Sequence, residues 1–310
     1  MLAKKRALSL ESVFKGISAS FAFLVLASAG AVVYELVMAS MPSFREFGLR
    51  FISSSEWDPV QHVYGALPFI WGTFYTSFIA LLLALPVSLG IAIFLTELAP
   101  AWLRQPVGFL IELLAAIPSL IYGLWALFVL APMVQHYIEP PLGKFSFLPF
   151  FTGYPLGLGF MTAGIILAIM IVPTISAISR DLMYTVPEAQ REGGLALGMT
   201  RWEVVSKVVI PYSRSGILGA VVLGLGRAMG ETMAVTMVIG NTPKISLSLF
   251  EPGYTISSAI ANEFTEAFKA THISALIELG LVLFIISFMV NILAKILMWR
   301  MGRGMEGARE

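Results

Sequence analysis

Arg227 and Glu231 are the residues of this sequence whose types and spacing point most directly to chemistry. They lie four positions apart in Leu225-Gly-Arg-Ala-Met-Gly-Glu-Thr-Met-Ala234. Four residues is about one helical turn, so the spacing predicts both side chains on one face of a helix. An arginine guanidinium can hold a tetrahedral oxyanion through two parallel hydrogen bonds. Glu231 would hold the guanidinium ready and compete with the anion, which favours release. The alternative is a structural ion pair that ties this helix to a neighbour.

A second group of informative residues lies in the polar stretch 180–214. Pro187 can begin a helix, because its missing N–H would be unpaired in the first turn anyway. Gly198 can end that helix. Thr200 can cap the next one, with Glu203 at the capping-box position. We expect Pro211 to stop this second helix. The stretch therefore predicts two short amphipathic helices joined by a turn.

Other chemistries have little support in the sequence. The chain has no Cys, and its three His are far apart and in no ligand spacing, so we predict no metal site. A net charge of +1 gives no indication of a nucleic-acid partner. The sequence Gly-x-x-x-x-Gly-Lys-Ser/Thr, which binds nucleotide phosphates, is missing, so this chain is not an ATPase.

The composition indicates that these residues are positioned by membrane helices. Hydrophobic residues make up 57% of the chain and charged residues 13%, against about 25% charged in soluble domains. About 20 apolar residues are needed for one helical crossing. The first apolar stretch is too long for a cleaved signal peptide. Six stretches are long enough to cross, and they cover about 17–41, 68–95, 106–131, 159–179, 215–240 and 273–299.

The distribution of Lys and Arg predicts the orientation, because cytoplasmic loops normally carry the excess. With the N-terminus inside, 14 of these residues fall on the cytoplasmic side and 5 outside, and only Arg227 lies deep within a span. We therefore expect residues 1–16 to form a cytoplasmic N-terminus and 17–310 to form one transmembrane domain with a core of about 68–299. The stretch 180–214 is then a cytoplasmic loop, and an even number of spans also places the C-terminus in the cytoplasm.

Three further carboxylates fall in or near the predicted spans. Charges inside a bilayer cost about 2.5–3.5 kcal/mol each on insertion scales, so they usually have partners or a function. We interpret Glu112 and Glu278 as structural residues, either protonated or paired across helices. Glu35 lies near the external end of its helix and is expected to reach the interface.

The loop resembles the coupling loop of binding-protein-dependent ABC importer permeases. The family pattern is Glu-Ala-Ala, three residues, Gly, nine residues, an aliphatic residue, any residue, Leu-Pro. Glu192, Gly198, Val208 and Pro211 fall at that spacing, with Ile210 in place of Leu. The departure is Gly193-Gly194 in place of Ala-Ala, which predicts either a less rigid first helix or closer packing. The alternative is a generic juxtamembrane amphipathic loop.

The resemblance extends from about Trp71 to Asn241 and is closest to PstC-type permeases of phosphate importers. Its most specific part is Gly226-Arg-Ala-Met-Gly-Glu-Thr-Met-Ala-Val-Thr-Met-Val-Ile-Gly-Asn241. Sulfate and molybdate permeases share Arg-Ala-x-Gly-Glu, but tend to continue with an aromatic residue and Gly. The resemblance implies an all-α, six-span type I importer fold with cytoplasmic coupling helices, in which residues 187–211 dock on an ATPase.

The resemblance also implies the partners and the location. We expect a multi-pass inner-membrane protein that works with a PstA-type second permease, a dimer of PstB-type ATPase subunits and a PstS-type extracytoplasmic phosphate-binding protein. Phosphate would pass between the two permeases. No cofactor is expected on this chain, since ATP and Mg²⁺ would bind to the ATPase.

Three other hypotheses remain open at this point. The first is a permease of the same kind for sulfate, molybdate or tungstate. The second is a secondary carrier or channel that uses buried carboxylates for protons, for which inverted repeats would be expected; we find no internal symmetry. The third is a structural membrane protein, which would explain neither the loop nor Arg227 and Glu231.

Overall fold

The computed structural model describes the backbone of residues 2–306 and the side chains of residues 11–300. Met1 and residues 307–310 lie outside this range, and these are the two ends of the chain that are predicted to be cytoplasmic. The described side chains also do not include those of Lys4, Lys5, Arg6, Arg303 and Arg309. The described backbone is helical apart from connecting segments and one isolated bridge. Its helices are α1 (Leu2–Phe47), α2 (Arg50–Ser53), α3 (Leu67–Leu98), α4 (Ala101–Ala116), α5 (Ser119–Gly143), α6 (Phe160–Tyr184), α7 (Glu188–Ala196), α8 (Arg201–Gly230), α9 (Met233–Val238), α10 (Ile256–Glu263) and α11 (Ala270–Glu306).

Six of these helices are long and apolar enough to cross a membrane, as predicted: α1, α3, α5, α6, α8 and α11. The α7 end of the bundle is called the loop face below. The other end, which carries the segment 239–255, is called the hairpin face. A span satisfies its own backbone hydrogen bonds, and this explains why an apolar chain forms helices here.

The predicted third span, 106–131, is wrong. Ile117 and Pro118 adopt extended conformations and separate α4 from α5, so that the crossing runs from Ser119 to Gly143. Proline disfavours a helical conformation of the residue before it, and this accounts for the break at Ile117. The hydroxyl of Tyr122 donates to the carbonyl of Leu114 at 2.8 Å and holds the two helices at this corner.

The fifth span differs at both ends from the predicted 215–240. Helix α8 begins at Arg201 and ends at Gly230, and Pro211 does not stop it. A π-helical turn covers Val205–Val209, and Pro211 occupies the first turn of the α-helical segment that follows, where its missing N–H is tolerated. The amphipathic helix of the loop and the transmembrane helix are therefore one continuous element.

The core of the bundle is formed by α3, α6 and α8, with α9 and α5 packed around the first half of α6. Small residues allow close approach in this core. A Cβ on Gly164 would meet Ile79 Cγ2, and one on Gly224 would meet Ile175 Cγ1 at 2.7 Å. Such contacts are typical of membrane helices, where packing and not hydrophobic burial drives association. Helix α1 packs mainly on α11, where the Ser43 N–H donates to Ser274 Oγ at 3.0 Å.

The hairpin face is closed by the segment 239–255. Carbonyls of this segment accept the first backbone N–H groups of α6, Phe160 to Glu251 at 3.2 Å and Met161 to Leu249 at 2.9 Å. Lys244 forms an ion pair with Glu251 at 2.7 Å, and the hydrogen bond from Lys244 holds the pKa of Glu251 below its usual value. The segment thereby caps the helix end that lacks partners of its own.

Candidate functional site

Arg227 lies on α8 beside the middle of α6. Its Nη1 donates to Thr174 Oγ1 at 3.4 Å, and among residues 11–300 it has no carboxylate as an ion-pair partner. That Glu231 lies on the same helical face as Arg227 stays a prediction, and the two side chains form no ion pair. The helix ends at Gly230, and Glu231 has an extended conformation with φ −68° and ψ 128°. The structure thus leaves the guanidinium without the carboxylate that the sequence suggested.

The surface beside Arg227 is open. A Cβ added to Gly226 or to Gly230 would meet nothing within 4 Å, while Arg227 itself is half-buried. A lone guanidinium at this depth is costly, at about 2.5–3.5 kcal/mol on insertion scales, and is normally directed to a partner or a water-filled space rather than to lipid. The glycines leave room there for a solute or for a second protein.

The chain is broken directly after this site. The carbonyl of Met229 in the last turn of α8 accepts from Ser257 Oγ at 3.2 Å, so α10 supports the helix end. Helix α9 then packs on α5, where a Cβ at Gly123 would lie 2.7 Å from Met237 Sδ and 3.0 Å from Ala234 Cα. Non-helical backbone at membrane depth is tolerated where protein covers it or where it lines a cavity.

The two-helix loop is confirmed in its local structure. Helix α7 starts directly after Pro187, and Gly198 has φ +84°. The turn is a Schellman motif, with the Met199 N–H donating to Gly194 O at 3.1 Å and the Gly198 N–H to Leu195 O at 2.9 Å. The predicted capping box is present, with the Thr200 N–H bonded to Glu203 Oε2 at 2.9 Å and the Glu203 N–H to Thr200 Oγ1 at 3.3 Å.

An arginine that the sequence analysis did not identify fixes α7 to the bundle. Arg191 Nη2 lies 3.1 Å from Glu97 Oε1 of α3 and 2.7 Å from the carbonyl of Met183 at the end of α6. Its Nη1 donates to Val186 O at 3.0 Å. One planar guanidinium thus joins three elements. The signal was a basic residue in the loop and an acidic residue at the end of a span, but only the fold brings the two together.

The five predicted coupling residues divide into two groups. Glu192 and Gly198 are exposed on the loop face. Val208, Ile210 and Pro211 are half-buried, and Val208 and Ile210 pack on the apolar cluster under the loop. The first group is available to a partner, and the second holds the loop in place.

Two apolar side chains of the loop that we had not singled out are also exposed. Leu197 is 81% exposed and Trp202 is 65% exposed, on either side of the turn. Polar residues would be the norm at such positions. Exposed aromatic and aliphatic side chains in one loop are characteristic of protein interfaces.

The two glycines that depart from the family pattern have different roles. Gly194 is buried, and a Cβ there would lie 3.0 Å from Val204 Cγ2 of α8. Gly193 is exposed, and a Cβ there would meet nothing within 4 Å. Close packing is therefore the reason for Gly194, whereas nothing in the structure explains Gly193.

The remaining carboxylates lie away from Arg227. Glu112 of α4 pairs with Arg180 of α6 at 3.0 Å, which fits the predicted pairing across helices. Glu278 is 5% exposed at the contact of α11 with α1, and Glu35 is exposed. Glu139, which the sequence analysis did not identify, is 1% exposed and accepts from the N–H of Gly157 at 2.9 Å. Among residues 11–300, the structure groups no set of His, Asp and Glu that could hold a metal ion.

Comparison with known families decides which kind of protein this is. Residues 87–303 match the model of the family described as "binding-protein-dependent transport system inner membrane component". The chain belongs to this family. Membership makes it the membrane-spanning permease component of a transport system, which is not an enzymatic role. The six apolar helices agree with a multi-pass membrane protein.

Similar proteins are found in both bacteria and archaea. The phosphate transport system permease protein PstC of Haemophilus influenzae is 50% identical over 297 residues, which cover 94% of this chain and 94% of that protein. PstC of Pasteurella multocida is 50% identical over 298 residues, which cover 94% of this chain and 92% of that protein. A probable PstC of Methanocaldococcus jannaschii is 41% identical over 261 residues, which cover 82% of each chain.

Solved structures show the same fold at low sequence identity. The MetNI methionine ABC transporter in an inward-facing conformation aligns with a TM-score of 0.57 and 16% identity, over 79% of this chain and 99% of that chain. A bacterial ABC transporter involved in the import of alginate aligns with a TM-score of 0.56 and 16% identity, over 93% of this chain and 98% of that chain. The type I importer permease fold predicted from the sequence is therefore confirmed.

Proposed function

We propose that this chain is the permease subunit of an ATP-driven importer of inorganic phosphate. It forms the translocation pathway together with a second, PstA-type permease and is driven by a dimer of PstB-type ATPase subunits. A PstS-type binding protein delivers phosphate from outside. The chain itself holds no cofactor, and ATP and Mg²⁺ belong to the ATPase. Relatives named as phosphate permeases over nearly the whole chain support phosphate, and sulfate or molybdate is not favoured.

The observation that carries the proposal is the unpaired guanidinium of Arg227. It lies half-buried in the bundle, without a carboxylate partner among residues 11–300, next to an open surface formed by Gly226 and Gly230. A tetrahedral oxyanion satisfies both the charge and the fork geometry of such a group. Glu231, just beyond the helix end, adds negative charge near the pathway and limits how tightly the anion is held.

The loop face is proposed to be cytoplasmic, with both chain termini on the same side. The excess of Lys and Arg on that side supports this orientation. Glu192, Leu197 and Trp202 then point to the ATPase, and Gly198 sets the turn between them. Arg191 transmits the movement of the docked α7 to α3 and α6 through its three contacts.

Uptake of labelled phosphate by proteoliposomes that contain the complete complex tests the proposal. Replacing Arg227 with Ala removes charge-assisted hydrogen bonds worth about 1.5–3 kcal/mol each, so two such bonds predict a loss of uptake of at least about 100-fold. Arg227→Lys keeps the charge without the fork and is expected to fall between the wild type and Ala. Glu231→Gln is expected to bind phosphate more tightly and to release it more slowly.

Two controls separate this role from a structural one. Thr174→Val removes the 3.4 Å contact of Arg227 and keeps the shape of the side chain, so its effect should be small. Assembly and ATP hydrolysis without substrate should be the same in all variants. Normal phosphate uptake in Arg227→Ala would remove this residue from the pathway. Uptake of sulfate or molybdate in place of phosphate would show that the proposed substrate is wrong.

A further inference from the structure

An apolar groove lies on the surface of the bundle between α8 and α11. It has a volume of about 230 Å³, and every side chain that lines it is aliphatic. Leu218, Val222 and Leu225 of α8 form one wall. Leu293 and Leu297 belong to the wall on α11, and they are 62% and 56% exposed. The groove is therefore open to the medium that surrounds the two helices.

The groove has the width of one hydrocarbon chain. Leu218 and Leu225 are seven residues apart, which is about 10.5 Å of helix. A volume of about 230 Å³ over this length corresponds to a mean cross-section of about 22 Å², or about 5 Å in each direction. Carbon atoms pack about 4 Å apart, whereas a helix with its side chains is about 10–12 Å across. An extended acyl chain thus fits the groove, and a helix does not.

The groove is separate from the Arg227 site and follows the direction in which the helices cross the membrane. Leu225 and Arg227 are two residues apart, so they project from nearly opposite sides of α8. Both α8 and α11 are spans, and the groove lies on the loop-face side of Arg227. Its length is about a third of the thickness of the hydrocarbon core. It therefore runs parallel to the acyl chains of the leaflet next to the loop face.

Two arginines lie at the loop-face end of the groove. Arg214 comes one turn before the first groove residue of α8, and Arg300 comes three residues after the last groove residue of α11. A Cβ on Gly219 would lie 3.4 Å from Met298 Sδ, so the two helices are in contact near this level. From that contact, Arg214 lies about 7.5 Å and Arg300 about 3 Å further toward the loop face. The depths of the two arginines thus differ by less than one helical turn.

This end of the groove is positively charged. The sequence has no Asp or Glu between Val204 and Gly230 of α8 or between Leu279 and Arg300 of α11. Arg300 is exposed and forms no ion pair with a carboxylate of residues 11–300. Trp299 is 58% exposed beside it, and tryptophan is enriched where a membrane meets water. The arginines therefore lie at the depth of the lipid headgroups.

We propose that this groove binds one phospholipid with an anionic headgroup. An acyl chain lies between α8 and α11, and the lipid phosphate accepts hydrogen bonds from Arg214 and Arg300. Guanidinium groups bind phosphate oxygens through paired hydrogen bonds, and basic pockets between membrane helices bind acidic headgroups. The acyl chain only exchanges one apolar surrounding for another, so the charge of the headgroup decides which lipid binds. The site is occupied whichever solute the permease carries.

Photolabelling tests the location of the lipid. The complete transporter is placed in nanodiscs with a trace of phosphatidylglycerol or of phosphatidylcholine, each with a diazirine in one acyl chain, and adducts are located by mass spectrometry of peptides. Each basic residue near an anionic surface is worth about a fivefold preference, so two give about 25-fold at low salt. Peptides that contain 218–225 and 290–297 should therefore be labelled at least about tenfold more by phosphatidylglycerol.

Removal of charge tests the headgroup contact. The double variant Arg214→Gln/Arg300→Gln should bring the preference for phosphatidylglycerol to within about twofold of unity. Arg300→Gln alone should lower it about fivefold, and this exposed position keeps the test valid if loss of the half-buried Arg214 disturbs the fold. Lys295→Gln is the matched control, because Lys295 is exposed on α11 but lies two residues from Leu297, on nearly the opposite side of the helix. It should leave the preference unchanged.

Filling the groove tests the acyl-chain contact. Val222→Phe places a ring in the groove, so labelling of both peptides should fall several-fold for either lipid. Equal labelling by the two lipids in the wild type, or an equal loss of preference in Arg300→Gln and Lys295→Gln, would refute the site. Lipid adducts spread evenly over the exposed spans would indicate ordinary contact with bulk lipid and would also refute it. Absence of lipid adducts from the groove in the complete transporter would show that another subunit covers it, and the inference would be wrong.

Discussion

Replacement of Gly198 tests whether the turn between α7 and α8 sets the geometry in which the loop docks. Gly198 has φ +84°, and a Cβ there would meet nothing within 4 Å. Substitution by Ala therefore adds no clash, and its cost is the left-handed backbone alone, about 1–2 kcal/mol for an L-residue. Asn adopts this conformation more readily and should cost less.

The expected result follows from these magnitudes. A cost of 1–2 kcal/mol corresponds to a factor of about 5–30 in an equilibrium. If the loop adopts an unstrained backbone when it is not docked, the whole strain energy of the left-handed conformation makes the free energy of docking less favourable. We expect Gly198→Ala to raise the ATPase concentration needed for half-maximal phosphate uptake by up to about 5–30-fold, and Gly198→Asn to raise it by less.

The assay is a titration of nanodisc-embedded permeases with purified ATPase subunits, read as phosphate transport and as ATP hydrolysed per phosphate moved. Gly193→Ala is the matched control, because its Cβ is also unobstructed but its backbone is helical. It should dock as the wild type does, or better, since Ala stabilises a helix by about 0.5–1 kcal/mol over Gly. Equal behaviour of Gly198→Ala and Gly193→Ala would refute the reasoning.

Three further predictions concern contacts elsewhere in the fold. Arg191→Ala removes the three contacts that hold α7, so ATP hydrolysis should continue while transport per ATP falls several-fold; unchanged stoichiometry would contradict this. Gly123→Ala places a Cβ 3.0 Å from Ala234 Cα, so α9 must move and the melting temperature of the purified permease should fall, whereas Gly226→Ala, in open space on a helix, should not lower it. The pKa of Glu251 is lowered by Lys244 from 4.5, so the stability from this pair is present above about pH 4.5 and is lost as the pH falls through the lower folded value. Hydrogen exchange of the segment 239–255 should accelerate below that pH in the wild type and show less pH dependence in Lys244→Met.

Apolar length was enough to predict six crossings, because each one must satisfy its backbone within a single helix. The prediction from apolar length failed where one apolar stretch contains two helices. Residues 106–131 read as one span, but Pro118 divides them between α4 and α5. Hydropathy also continued the fifth span to 240, although the chain leaves the helix after Gly230. A hydropathy average over a stretch of residues does not detect a change of backbone conformation at a single residue.

The site was predictable as far as its local motifs reach. The glycine turn and the capping box of the loop depend on residues within six positions of each other, and both are present. The ion-pair partner of Arg191 and the hydrogen-bond partner of Arg227 lie on other helices, 94 and 53 residues away, so no local spacing identifies them. The prediction that Pro211 stops the helix failed for a different reason. A π-helical turn just before Pro211 lets the helix continue past it, and a proline in the sequence does not reveal such a turn.

The uninterrupted α8 has a mechanical consequence. From Arg201 to Arg227 it extends for about 39 Å at 1.5 Å per residue, so it acts as a lever arm between the loop and the guanidinium. A tilt of about 5° about its loop end would displace Arg227 by about 3 Å on this length, roughly the length of one hydrogen bond. The π-helical turn at Val205–Val209 is the natural pivot, since it lies at the base of the arm. Under the proposed function, a tilt of this size is enough to bring the guanidinium to an anion or to withdraw it.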